Sequence, residues 1–558
     1  MDFTVLITVV IIYLAAIVYL GWLGYKHTHS AKDYYIAGGE VNPYLMAMGY
    51  GAAFISTSAI IGFGGAAGAY GMSLLWLTAF NLIVGIFIAF VFVGRRTRAM
   101  GRVLGAQTFP ELVGTRYDSS FMRKFAAVVI VVAMPIYAAA VMIGGARFME
   151  MALNIDFAIS LIIVAVIVGA YVFAGGMKGV LYTGAFQGSL MLVLMLFLLF
   201  FTYYRLGGVV EAHTSLAALS DLVPEGLVEE GHRGFTSMPS LFSPIWWFVI
   251  STLVMGVGIG VLAQPQLAVR YMTVRSNREL YRALVPGGVF ILAMTGVGFI
   301  VGALSNVYFH ENVGEIAFFA AVDPATNEPN TDLIIPQYIT SALPLWVSYI
   351  FMLTMLSAAM STLSGLFHAI ATSISYDLYS KGIKDDRTRL KFARYGTLFG
   401  LLVTVLLSYV LPGSIIAVAT AIFFGLCASA FLPLYVLGLF WKKVTTVGAT
   451  VGMVAGTIVY FFVMFFVYKE MTGIFMLSDV LFGTASLVEF PFNIVDPLVY
   501  GLPVSLVITV VVSLLTQSSL DEDHVSRCFS FQKKHGKTRG DSAEVPEGSS
   551  VYSSSSNE

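Results

Sequence analysis

Long apolar runs alternate with short polar segments along almost the whole chain. Each run holds about 20 residues, the length of an α-helix that crosses the hydrocarbon core of a bilayer. The pattern predicts thirteen such spans. Their approximate limits are residues 3–24, 44–70, 74–94, 124–153, 157–175, 180–204, 243–269, 283–308, 342–376, 393–411, 414–440, 447–468 and 497–517.

Two of these spans are interrupted by glycines, span two between Gly49 and Gly68 and span seven between Gly256 and Pro265. The interruptions lie five helices apart, which predicts a 5+5 inverted repeat of spans 2–6 against spans 7–11. In such folds the first helix of each repeat is unwound near the midplane and exposes carbonyls to ions and substrate. The alternative is that the glycines only permit close helix packing. We favour an all-α integral membrane protein with broken helices in spans two and seven.

Composition agrees with this class. Of the 558 residues, 58% are hydrophobic and 11% are charged, with a mean hydropathy of +0.84; soluble proteins carry about 25% charged residues. The net charge of −1 offers no basic surface for nucleic acid. The expected partners are the lipid bilayer and a small organic solute, and no obligate protein partner is implied.

The basic residues predict an orientation. Alternate loops hold 22 lysines and arginines on one side of the membrane and 4 on the other. Because basic loops stay in the cytoplasm, the N-terminus is expected outside and the C-terminus inside, in the plasma membrane. Residues 1–517 are predicted to form the membrane domain. Residues 518–558 are predicted to be a disordered cytoplasmic tail, because this polar segment cannot bury a core.

A hydroxyl pair in span nine is the strongest candidate for chemistry. Ser361 and Thr362 are adjacent in a long apolar segment, and the carbonyl of Ala358 lies on the same side of a helix. Uncharged oxygens in this arrangement favour a weak, reversible site for a small hard cation. The alternative is that both hydroxyls only bond the carbonyls of the preceding turn.

Acids and lysines are missing near the centre of every predicted span. A proton pump with a buried carboxylate relay is therefore disfavoured, and coupling to a metal cation is favoured. Arg147 and Glu150, near the outer end of span four, are one turn apart and are expected to form an interfacial ion pair.

Four motifs in this order resemble the sodium:solute symporter family, whose members carry proline, pantothenate, sugars, carboxylates and other solutes. The similarity covers roughly residues 10–440. The motifs are Ala37-Gly38-Gly39 leading to Gly68-Ala69-Tyr70, Phe173–Gln187, Gln264-Pro265 leading to Arg270-Tyr271-Met272, and Ala358–Thr362 leading to Ser375–Tyr379.

The resemblance implies a sodium site shared by the broken second span and the ninth span. Matching the motifs residue by residue places its carbonyls at Ala52, Ile55 and Ala358 and its hydroxyls at Ser361 and Thr362. The solute pocket is expected beside it. Its implied residues are Phe54, Ser56, Ser58, Val257, Val261 and Gln264. For Gln264 two roles stay open, contact with the solute or satisfaction of backbone groups freed by Pro265.

Departures from the family pattern narrow the function. Many members have an aspartate where this chain has Gly184, so one Na⁺ per cycle is expected. Val257 and Val261 stand where proline carriers bear aromatics, and Phe54 and Ala59 stand where sugar carriers place polar side chains. A monocarboxylate or an amino acid remains the expected solute.

The predicted function is secondary active transport, the uptake of a small organic solute driven by inward Na⁺ movement. Two alternatives are a channel-like protein and a membrane sensor built on a transporter fold. The sequence shows no loop that resembles a channel filter and no signalling domain, so neither alternative is supported. The chain also lacks an HExxH motif and paired acids inside a span, so an enzyme is not supported.

Overall fold

The computed structural model describes residues 3–28, 31–172, 176–324, 326–379 and 386–532. They form helices and turns, with isolated β-bridges at Val41–Val274 and Val322–Pro329. The helices of the predicted spans are Phe3–Lys26, Pro43–Phe54, Ser58–Gly62, Phe63–Tyr70, Leu75–Leu82, Ile83–Gly94, Arg95–Leu104, Ser120–Leu153, Phe157–Val172, Gly176–Arg205, Pro244–Trp247, Phe248–Gly256, Val257–Gly260, Val261–Ala263, Pro265–Tyr271, Asn277–Val313, Leu345–Thr372, Ser373–Leu378, Asp386–Val410, Ile416–Phe440, Thr446–Phe466 and Leu498–Leu515.

Eleven helical segments among the described residues are long and apolar enough to cross a membrane. Phe157–Gly169 is a shorter apolar helix, and Pro43–Phe54 leads into the long segment Ser58–Leu104 through a break. The fold class is the predicted one, an all-α membrane protein. The count of thirteen crossings and the inverted repeat stay predictions. Residues 173–175 of the second motif lie outside the described residues.

The centre of the bundle is formed by three long helices, Ser120–Leu153, Leu345–Thr372 and Ile416–Phe440, most of whose side chains are buried. The two broken spans pack against them. Helices at the periphery expose large apolar side chains instead, as at Val18 and Leu402. Exposed apolar faces on long helices suit contact with lipid tails.

Two long segments between spans, residues 206–242 and 309–341, carry short helices of their own. The predicted pair of Arg147 and Glu150 is confirmed, with 2.9 Å between Nη1 and Oε2. Arg147 Nη2 also lies 2.9 Å from Asp323 Oδ2 of the second loop. The arginine therefore ties this loop to the end of span four.

The beginning of the C-terminal tail differs from the prediction of disorder. Residues up to 532 are described, and Glu522–Cys528 is a helix. Val525, Cys528 and Phe529 recur at helical spacing and are buried, so the polar tail contains one short apolar face. The Arg116 guanidinium lies 5.3 Å from the centre of the Phe529 ring. Residues 533–558, including the serine-rich stretch, lie outside the described residues.

Candidate functional site

The first break interrupts span two after Phe54, as its sequence predicts. Ile55 has extended backbone angles (φ −89°, ψ 106°), and the helix resumes at Ser58. Ser56 replaces the lost helical bonds, because its side-chain Oγ accepts the Ser58 N–H at 3.1 Å and its carbonyl accepts the Ala59 N–H at 3.1 Å. A serine at this position satisfies backbone groups that lipid could not.

The hydroxyl pair of span nine meets this break directly. Ser361 Oγ lies 2.8 Å from the carbonyl oxygen of Ala52, and Thr362 Oγ1 lies 3.1 Å from the same oxygen. Ser361 Oγ is also 3.2 Å from the carbonyl of Ala358. Both hydroxyls are buried. Bonding within the preceding turn alone does not describe them, because each donates across the helix interface to span two.

Four of the five predicted cation ligands therefore lie together, namely Ala52, Ala358, Ser361 and Thr362. The fifth, Ile55, lies at the break itself and is also buried. Every group in this cluster is an uncharged oxygen. Such a donor set suits a hard monovalent cation, because this kind of ion takes oxygen ligands. Since no carboxylate is among the ligands, the ion is not held by an opposite charge.

A small cavity, with room for roughly one water molecule, adjoins the break. Phe54, Ser56 and Val257 of the predicted solute residues line it, together with Ile55. The other lining residues are Ala59, Phe63, Leu77, Asn81, Tyr137, Thr295, Phe299, Thr420 and Phe424. The wall is largely aromatic and aliphatic with a few polar groups, the usual make-up of a pocket for a small organic molecule.

Sequence reasoning missed several polar members of this cavity. Tyr137 of span four donates its hydroxyl to Ser56 Oγ at 3.3 Å. Asn81 is 2% exposed, and its Oδ1 has no hydrogen-bond partner among the described residues. Asn81 carries the only carboxamide of the apolar run 74–94 and would have been a candidate on that ground.

The second break falls at Gln264 of span seven. Gln264 has extended angles (φ −68°, ψ 116°), and Pro265 begins the next helical segment. Its amide Nε2 donates to the Gly260 carbonyl at 3.4 Å, and its Oε1 accepts from Gln266 Nε2 at 3.0 Å. Of its two proposed roles, the hydrogen bonds match the second, satisfaction of freed backbone.

Three predicted solute residues do not line the cavity: Ser58, Val261 and Gln264. Val261 and Phe54 both lie close to Gly85. A methyl group added at Gly85 would come within 3.4 Å of Val261 and within 3.2 Å of Phe54. Ser58 is buried, and its Oγ has no hydrogen-bond partner among the described residues.

Two broken membrane helices, a cluster of uncharged oxygens between the first of them and span nine, and an adjoining pocket are the features of a secondary transporter. A family model for the sodium:solute symporter family matches residues 34–456. The chain belongs to the sodium:solute symporter family, so it is a Na⁺-coupled solute carrier and not an enzyme.

Known relatives agree with this assignment. The sodium/pantothenate symporter of Haemophilus influenzae is 27% identical over 428 residues, which cover 76% of this chain and 82% of that protein. A sodium/proline symporter of Staphylococcus aureus is 28% identical over 458 residues, covering 80% and 83%. A solved outward-open, substrate-bound structure of a Na⁺-coupled sialic acid symporter covers 91% of this chain and 97% of its own, with a TM-score of 0.71 at 18% identity. At that identity the likeness supports the fold alone.

Proposed function

We propose that this carrier binds one Na⁺ between spans two and nine and uses it to import a small carboxylate or amino acid across the plasma membrane, with its N-terminus outside. The ion's ligands are the carbonyls of Ala52, Ile55 and Ala358 and the hydroxyls of Ser361 and Thr362. The observation that supports this most is the meeting of both hydroxyls at the Ala52 carbonyl.

The solute occupies the adjoining cavity at Phe54, Ser56 and Val257, whereas Ser58, Val261 and Gln264 lie outside its lining. The cavity begins at the residue where span two breaks, so the ion and the solute share one segment of backbone. Filling either site orders that segment for the other. The coupling is reciprocal, because each ligand must raise the affinity for the other by the same factor.

Energetically, one charge moved across the membrane is worth about 2.3 kcal/mol per 100 mV. At 100 mV, one Na⁺ per cycle supports roughly fiftyfold accumulation of a zwitterionic amino acid from the potential alone. A monocarboxylate that moves with one Na⁺ transfers no net charge, so the potential does not drive it. The sodium gradient drives both.

Alanine substitution of the hydroxyl pair tests the proposal. In proteoliposomes, Ser361→Ala and Thr362→Ala should each raise the half-activating Na⁺ concentration by about tenfold or more, because each removes a polar ligand worth about 1–3 kcal/mol. Uptake at saturating Na⁺ should be affected less. A thermal-shift screen of small acids and amino acids, with Na⁺ or with choline, identifies the solute.

Ser364→Ala is the matched control. Its hydroxyl is also buried in span nine but bonds the Ser361 carbonyl at 2.9 Å within its own helix. It should keep the wild-type Na⁺ dependence. If the two test variants also keep it, the assignment of the ion site is wrong.

A further inference from the structure

Span one presents few residues to the rest of the bundle. Of residues 8–26, Tyr13, Ile17 and Gly24 are buried, and the others are partly or fully exposed. Tyr13 lies near the middle of the helix Phe3–Lys26. A phenolic hydroxyl at this depth of a membrane helix is costly unless it is hydrogen-bonded, so the partners of Tyr13 show what span one is tied to.

The Tyr13 hydroxyl joins span one to spans six and nine. Gln187 Nε2 of span six donates to it at 3.1 Å, and Ser357 Oγ of span nine donates to it at 2.8 Å. The hydroxyl itself donates to Met360 Sδ of span nine at 3.8 Å. All four side chains are buried. One hydroxyl therefore connects three helices in the interior of the bundle.

On span nine, the partners of Tyr13 lie in the turn that carries the proposed Na⁺ ligands. Ser357 precedes Ser361 by four residues, which is about one helical turn, so both side chains lie on the same face. Met360 directly precedes Ser361. The bonds from Tyr13 therefore fix the part of span nine from which the two hydroxyls reach span two.

On span six, the bond from Gln187 leads to the other half of the proposed ion site. Gly188, the next residue, packs closely against span two. A methyl group added at Gly188 would come within 3.3 Å of Ala52 Cβ and within 3.3 Å of the Met48 carbonyl oxygen. Span six thus backs the residue whose carbonyl oxygen meets both hydroxyls of span nine.

We propose that Tyr13 is a positioning residue of the Na⁺ site. Its hydroxyl fixes spans six and nine relative to each other, and thereby holds Ser361 and Thr362 within reach of the Ala52 carbonyl. Tyr13 is not itself a ligand of the ion. This role rests on the proposed Na⁺ site and gives a part in it to span one, which lies outside the predicted 5+5 repeat.

A site built from uncharged oxygens depends on such support, because no carboxylate draws its ligands around the ion. The ligands come from two helices, so a small change in the distance between these helices changes the coordination of the ion. Groups that orient metal ligands through hydrogen bonds commonly change the affinity for the metal by about tenfold or more. The hydroxyl of Tyr13 is placed to act in this way.

Direct binding of ²²Na⁺ to the purified full-length protein, together with its melting temperature in choline, tests the proposal. Tyr13→Phe removes the hydroxyl but keeps the aromatic ring, whose centre lies 6.3 Å from that of Phe186 in span six. The dissociation constant for Na⁺ should rise by about tenfold. The melting temperature in choline measures the loss of stability in the absence of the ion.

Tyr338→Phe is the matched control. The Tyr338 hydroxyl is also buried, and it donates to Thr202 Oγ1 at 2.9 Å, about four helical turns along span six from Gln187. This variant should melt at a lower temperature in choline and keep the wild-type dissociation constant for Na⁺. If Tyr13→Phe behaves in the same way, Tyr13 has a structural role only and the proposal is overturned.

Ser357→Ala decides the question if Tyr13→Phe does not fold. It removes the bond between Tyr13 and span nine and should also weaken Na⁺ binding; unchanged binding overturns the proposal. Where both variants fold, the double variant should bind Na⁺ no more weakly than the weaker single variant, because both changes remove the same bond. Additive losses would contradict a shared bond.

Ser361→Ala separates this proposal from the previous one. If Ser361→Ala weakens ²²Na⁺ binding and Tyr13→Phe does not, the positioning role is rejected and the ion site stands. If neither variant weakens binding, the ion site itself is wrong. Weaker binding in Tyr13→Phe with wild-type binding in Ser361→Ala would place the ion elsewhere and reject both proposals.

Discussion

The two helix breaks use the same backbone device but differ in electrostatics. At the first break, Ile55 and Ser56 lie among hydroxyls and carbonyls without formal charge. At the second, Gln264 and Pro265 lead within six residues to the buried guanidinium of Arg270. The first break therefore offers neutral oxygen ligands, whereas the second leads to a buried permanent charge.

The outer halves of the two broken helices are also anchored differently. Just after the first break, Thr57 donates its hydroxyl to the Val141 carbonyl of span four at 2.6 Å. Before the second break, Ser251 accepts the backbone N–H of Asp496 at 3.0 Å. Asp496 precedes the last span, and its carboxyl accepts the Leu498 N–H at 2.8 Å. Next to the break, a threonine hydroxyl ties the first half-helix to span four, whereas the backbone N–H of a buried acid ties the second half-helix to the segment before the last span.

The largest expected effect is on the pH dependence of stability and concerns Asp496. Burial raises the pKa of Asp496 from 3.8 to about 7, against smaller opposing contributions from the Leu498 N–H and the Thr252 hydroxyl. Between these two values the folded protein binds more protons than the unfolded one, so stability should fall as pH rises from about 4 to 7 and level off above. The loss amounts to about 4 kcal/mol.

Asp496→Asn checks this prediction. The amide keeps an oxygen acceptor for Leu498 but does not titrate, so its melting temperature should lack this part of the pH dependence. The advantage of the variant should widen from pH 4 to 7. If the two melting curves stay parallel across that window, the Asp496 carboxyl does not titrate there in the folded protein and the prediction is wrong.

The next prediction, with a smaller expected effect, concerns Na⁺ affinity and the electrostatic difference between the two breaks. Arg270→Gln should increase Na⁺ affinity, the opposite of the change expected at Ser361, because a like charge near the ion is removed. At an effective dielectric constant of about 20, unit charges one helical turn (about 5.4 Å) apart repel by about 3 kcal/mol. The gain in Na⁺ affinity should therefore be at most roughly a hundredfold, because Arg270 has other interactions that offset part of its charge. Arg270→Lys, which keeps the charge, is the control. Unchanged or weaker Na⁺ binding in the glutamine variant would separate the two sites electrostatically.

The smallest effect concerns the anchor of the first half-helix. Thr57→Val removes the bond to Val141 and should cost about 1 kcal/mol of stability, with little change in Na⁺ affinity. Thr457→Val, whose hydroxyl bonds the Met453 carbonyl of its own helix, is the matched control. Equal melting temperatures for the two variants would show that this anchor contributes nothing specific.

Features that depend on residues close together in the chain were predictable from the sequence. Glycine, serine and proline locate both breaks, and the Ser361–Thr362 pair was identified by its place in the motif of span nine. The Arg147–Glu150 pair followed from helical spacing in the same way. Each of these depends on neighbours within about one helical turn.

Features that depend on distant segments were not predictable. Asp496 lies in a loop of the sequence, yet folding buries it completely. The tail helix Glu522–Cys528 depends on a binding surface beside Arg116 that the tail itself does not encode. Asn81 and Tyr137 reach the cavity only because spans three and four pack around the first break.

Direct binding of ²²Na⁺ to the purified carrier tests the central claim most directly. We expect saturable binding of one ion per chain in the wild type and in Ser364→Ala, and loss of that binding in the Ser361→Ala, Thr362→Ala double variant. Binding of two ions per chain, or undiminished binding in the double variant, would contradict a single Na⁺ held by uncharged oxygens at the first break.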